Sequence, residues 1–123
     1  MSASVPDNTA VWFEIPVTDM ARAKAFYGAV LQAELSDQEG GPNPMSLFPM
    51  AGRSSVSGHL YPGRPAQAGT GITIHLAVSD LEGAMERVGR HGGKVVSPVI
   101  SIEAGRFAYC LDPDGNSFGL FAA

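Results

Sequence analysis

Cysteine is almost missing: Cys110 is the single one in 123 residues. No internal disulfide can form, so a reducing compartment, the cytoplasm, is the expectation. Basic clusters are missing too. Eight Lys and Arg stand against twelve Asp and Glu, a formal net charge of −4. Without a basic patch, a nucleic-acid partner is not expected. No stretch approaches the roughly 20 apolar residues of a membrane helix, which argues against a membrane partner. The opening "MSASVPDNTA" lacks a basic segment followed by an apolar run, so it does not read as a signal peptide. There is no nucleophile elbow, phosphate-binding glycine loop or CxxC pair. "GRSSVSG" holds serines without the strand-turn-helix setting that activates one.

What the chain does contain, it states twice. "WFEIPVTDMARAKAFY" (12–27) returns as "TIHLAVSDLEGAMERV" (73–88), with Val17 over Val78, Thr18 over Ser79, Asp19 over Asp80 and Ala23 over Ala84. In each copy a stretch alternates with period two, which marks a strand with one face on an apolar layer. The apolar set is Val11, Phe13, Ile15 and Val17 in the first copy, and Ile72, Ile74, Leu76 and Val78 in the second. The period then changes to three and four. Met20, Ala23, Phe26, Tyr27, Val30 and Leu31 form one helical stripe; Leu81, Ala84, Met85 and Val88 form the other. "TD" supplies a cap oxygen for the first helix, and Ser79 with Glu82 has capping-box spacing at the second. "HGG" at 91–93 ends the second helix.

Strand-like pieces follow each helix: "AELSDQ", "MSLFPM" and "SSVSGHLY" in the first half, "KVVSPVISI", "GRFAYCL" and "NSFGLFA" in the second. "DPDGN" at 112–116 is a turn between the last two, and "PGRPAQAGTG" is a linker between the halves. The expected fold is α+β: two βαβββ units, about 10–61 and 71–122, forming curled mixed sheets around a shared cleft in one domain, 1–123. Each unit alone buries too little apolar area to stand by itself.

These features resemble the vicinal oxygen chelate superfamily, which includes glyoxalase I, bleomycin- and fosfomycin-resistance proteins, methylmalonyl-CoA epimerase and extradiol dioxygenases. The resemblance rests on the repeated unit, "VTDMARAKAFY" after the first strand and "DPDGN" before the last, and runs from about Val11 to Phe121. It implies a small-molecule ligand and a homodimer. It also implies four inward metal-ligand positions. Carried over, three fall on Trp12, Thr73 and Gly119, and the fourth falls around Gly58 or His59. Trp and Gly cannot ligate a metal in the usual way, so no cofactor is expected. The alternative is a divalent-metal lyase, isomerase or dioxygenase with ligands shifted to Glu14, His59 and His75.

If Phe13, Ile15 and Val17 face the helix, then Trp12, Glu14 and Pro16 face the cleft, as do Thr73, His75 and Ala77 from the other copy. Glu14 and His75 thus become mates, expected within hydrogen-bond reach as a structural stitch or an acid/base pair. Trp12, Thr73, Tyr109 and Gly119 are the expected ligand-binding positions. Cys110 reads as a packed small side chain. Arg53 and Arg64 read as loop charge near the cleft mouth, with contact to an anionic ligand as the alternative, and His91 as a cation at a helix C-terminus.

Overall fold

The computed structural model describes residues 5–123. The first unit runs β1 (Trp12–Val17), α1 (Met20–Leu31), β2 (Ser36–Gln38), β3 (Met45–Leu47) and β4 (Ser57–Pro62). The second runs β5 (Ile74–Ala77), α2 (Leu81–Arg90), β6 (Lys94–Val95), β7 (Ile100–Ile102), β8 (Gly105–Leu111) and β9 (Ser117–Ala122). The first sheet has strand order β1-β4-β3-β2; the second has β5-β9-β8-β6, with β7 also paired to β8. In both sheets the unit's first strand lies parallel to its last, and the other pairings are antiparallel. The result is the expected α+β architecture of mixed sheets.

The alternation along β1 and β5 holds. Ile15, Val17 and Leu76 are buried, while Trp12, Glu14, His75 and Ala77 are exposed. The helical stripes are buried as well, with Ala23, Phe26, Tyr27 and Val30 on α1 and Leu81, Ala84 and Val88 on α2. One core serves both units. The rings of Phe26 and Tyr27 lie 5.9 and 5.4 Å from Phe118 of β9. Arg87 of α2 donates twice, at 3.1 Å, to the Val30 carbonyl at the end of α1. That carbonyl lies in the last turn, where the helix leaves its oxygens unpaired.

Two local expectations need correction. The cap of α2 is Asp80, whose Oδ1 accepts from the Gly83 N–H at 3.1 Å, and not Ser79. Asp19 does the same for Arg22 in α1 at 3.0 Å, so the two copies use the same cap. The stretch "KVVSPVISI" is two short strands and not one. Pro98 has no N–H to give to a ladder. The Ser97 hydroxyl instead accepts the Tyr109 N–H at 2.8 Å, just after Val96 N–H donates to the Tyr109 carbonyl at 2.9 Å. Elsewhere "HGG" behaves as read: Gly92 has φ +97°, the left-handed conformation that glycine adopts cheaply.

Candidate functional site

β1 and β5 are the edge strands of their sheets, and two grooves open between them. One, of about 510 Å³, is lined by Trp12 and Phe13 of β1 together with Thr73, Ile74, His75 and Ala77 from the second unit. The other, of about 500 Å³, is lined by Glu14 and Pro16 of β1 together with Ile72, Ile74 and Ser117. Trp12 lines both. The beginning of β1 shares a groove with the end of β5, and the end of β1 shares one with its beginning, so the two edges pass each other in opposite directions.

On the first unit's cleft face, Trp12, His59 and Glu14 stand against one another. Glu14 of β1 is in register with His59 of β4. The indole N–H of Trp12 donates to His59 Nδ1 at 2.9 Å. His59 Nε2 lies 3.2 Å from Glu14 Oε1. A nitrogen that accepts from the indole carries no proton, so the hydrogen sits on Nε2, the nitrogen nearer the carboxylate. The imidazole is buried, whereas the Glu14 side chain is 65% exposed. Glu14 therefore partners His59, and not His75 as expected; no direct hydrogen bond joins Glu14 to His75 among the described residues. The reason is topological. Parallel pairing of β1 with β4 puts His59 on the neighbouring strand of the same sheet, whereas His75 belongs to the other sheet.

The corresponding place in the second unit is filled differently. His75 is in register with Gly119 of β9. A methyl group at Gly119 would come within 2.1 Å of His75 Nδ1, so the imidazole lies across the space that the glycine leaves open. Around it stand Phe107, Tyr109 and Phe121, at ring-centroid distances of 5.4, 5.7 and 6.4 Å and edge-to-face angles of 61–89°. Phe107 and Phe121 stack on each other at 5.9 Å. Aromatic pairs favour such geometries by about 0.5–1.5 kcal/mol beyond their buried area. Tyr109, whose facing the alternation left open, thus shares the sheet face of His75 and is 37% exposed, but it lines neither groove. Thr73 is tied to Ser117 through their hydroxyls at 2.6 Å.

The inherited metal positions resolve as Trp12, His59, Thr73 and Gly119, because His59 stands to Glu14 in β4 as Gly119 stands to His75 in β9. This donor set does not fit a metal. Both nitrogens of His59 are engaged, the Thr73 hydroxyl is bonded to Ser117, the indole N–H only donates, and glycine offers no side chain. The shifted set is not assembled either: among the described residues no three His, Cys, Asp or Glu side chains converge on a metal-sized space.

Comparison with known proteins agrees with this frame. Residues 9–120 match the family model of the Glyoxalase/Bleomycin resistance protein/Dioxygenase superfamily. The chain belongs to this superfamily. CFP32 of Mycobacterium bovis, named as a glyoxylase, is 29% identical over 119 residues, covering 94% of this chain and 46% of that protein. The chain thus spans about half the length of that curated relative. Among solved structures, a glyoxalase/bleomycin resistance protein of Albidiferax ferrireducens superposes with a TM-score of 0.73 at 19% identity, covering 94% of this chain and 99% of the other. TnmS3, an antibiotic binding protein of a Streptomyces species, gives 0.68 at 24%, covering 97% and 98%.

Reading the superfamily's "DPDGN" turn as a turn missed its polar centre. Asp112 is 4% exposed. It accepts from the Tyr27 hydroxyl at 2.7 Å, from the backbone N–H groups of Asp114 and Asn116 at 2.9 Å each, and from Asn116 Nδ2 at 2.9 Å. Asn116 Nδ2 also donates to the Pro16 carbonyl at 2.8 Å. The turn of the second unit thereby holds the end of β1, from which the cleft side chains project. Burial, and next the charge of Asp112, push the Tyr27 hydroxyl pKa well above its ordinary value. Burial also pushes the Cys110 thiol up to about 11, as suits a packed side chain and not a nucleophile. Among the described residues no helix is long and apolar enough to cross a membrane.

Proposed function

We propose that the protein binds a small organic molecule in the grooves between β1 and β5, without a metal ion. One observation carries this reading: the grooves are lined mainly by apolar side chains, with the Trp12 indole, 40% exposed, in both, beside a single carboxylate, Glu14. A concave, mostly apolar site with few fixed polar groups is the usual form of a small-molecule site. The resemblance to an antibiotic binding protein supports it. The donor set argues against the metal-dependent lyase, isomerase or dioxygenase alternative. Homodimerisation and a cytoplasmic location complete the proposal; light scattering at high concentration tests the first, and a monomer would refute it.

Trp12 is the only tryptophan in the chain, so intrinsic fluorescence reports on this cleft directly. Titration of the metal-stripped protein with planar aromatic compounds should change its emission saturably, and Trp12→Phe should abolish the signal. A library that moves neither the emission nor the melting temperature would sink the reading. So would binding that appears only after zinc, nickel, manganese or iron is restored.

A further inference from the structure

We propose that the cleft selects an organic cation: a planar or aromatic body bearing an ammonium or amidinium group that pairs with Glu14. The proposal rests on the cleft being the binding site, and it adds the charge of the ligand.

Glu14 is the one Asp, Glu, Lys or Arg among the residues lining the two grooves. Its charge is not cancelled within the protein. The imidazole beside it accepts a hydrogen bond at Nδ1, so that nitrogen carries no proton and the ring is uncharged. A carboxylate has two oxygens and room for about four hydrogen bonds. His59 uses one oxygen, and Oε2 has no partner among the described residues. Five of the eight Lys and Arg are committed elsewhere, and the other three, Arg53, Arg64 and Lys94, line neither groove. Arg22, Lys24, Arg90 and Arg106 pair with Asp114, Asp37, Glu86 and Glu82. Arg87 is spent on the Val30 carbonyl.

The uncharged walls act in the same direction. The face of an aromatic ring is the negative end of its quadrupole and attracts a cation held within about 6 Å. Trp12 lines both grooves and is 40% exposed, so its ring is within reach of a ligand beside Glu14. An anionic ligand would meet a carboxylate and ring faces, with no Lys or Arg among the lining residues to receive it.

Three probes that share one aromatic body and differ in charge test this: 2-naphthylmethylammonium, 2-naphthylmethanol and 2-naphthoate. Each is titrated at about pH 8, where an ordinary histidine is neutral, with Trp12 emission and calorimetry as readouts. The cation should bind about three- to tenfold more tightly than the alcohol, and the carboxylate most weakly, with a preference that shrinks as salt is added. Glu14→Gln should bring the cation to the affinity of the alcohol measured on the same variant. Equal binding of all three probes, or a cation preference that survives Glu14→Gln, would overturn the charge assignment and leave the cleft reading standing. Failure of all three to bind would overturn both.

Discussion

The two units place an imidazole on the cleft face of paired, parallel strands, and they surround it with opposite chemistry. In the first unit His59 sits on the last strand, buried, with a donor on one side and a carboxylate on the other. In the second unit His75 sits on the first strand, exposed, over a glycine and among three aromatic rings. The backbone plan is repeated; the side chains are not. One half of the cleft is thus suited to hold charge and hydrogen bonds, and the other to hold a flat apolar surface. A duplicated unit has the freedom to do this because strand pairing uses only backbone groups and leaves every cleft-facing side chain open to change.

The largest expected break in the comparison is at the glycine of each last strand. A methyl group at Gly58 would meet the Phe13 carbonyl oxygen at 2.4 Å and the Phe13 ring at 2.4 Å. Backbone cannot move aside as a side chain can, so Gly58→Ala should cost about 1–3 kcal/mol or more in denaturant unfolding. At Gly119 the close neighbour is only the exposed His75 ring, which can rotate away. Gly119→Ala should cost clearly less, and equal costs would mean that His75 is locked in place.

Next comes the bridge between the units. Tyr27→Phe removes one donor from buried Asp112 and should cost about 1–3 kcal/mol. It also carries a pH signature. The folded-state pKa of Tyr27 is raised, so its contribution is complete below the unfolded value near 10 and is lost as pH climbs toward the folded value. Cys110, raised from about 9 to about 11, acts in the same sense. Wild-type stability should therefore fall from about pH 9 upward, and Tyr27→Phe should show a shallower fall above about pH 10. Unchanged slopes in chemical denaturation across that range would contradict the network.

The smallest effect sharpens the contrast between the two histidines. In double-mutant cycles Glu14→Ala and His59→Ala should couple by about 0.2–1 kcal/mol, because one partner is exposed. Glu14→Ala and His75→Ala should add within about 0.3–0.5 kcal/mol. Coupling between Glu14 and His75 and none with His59 would reverse the assignment made from the strand register.

Much of this was legible in the sequence. Period-two alternation separated Trp12 and Glu14 from Ile15 and Val17, because successive strand residues must point to opposite faces. Helical spacing marked Phe26, Tyr27 and Val88 as core. The repeat at 12–27 and 73–88 announced two units of one plan, and the missing ligands at Trp12 and Gly119 raised the question of metal. Local composition could not say which strand lies beside which. That choice belongs to the tertiary structure, since parallel partners such as β1 and β4 are joined by backbone bonds between residues more than forty positions apart. Strand pairing gave Glu14 to His59, laid His75 over Gly119, and turned Asp112 from a turn residue into the buried acceptor for Tyr27.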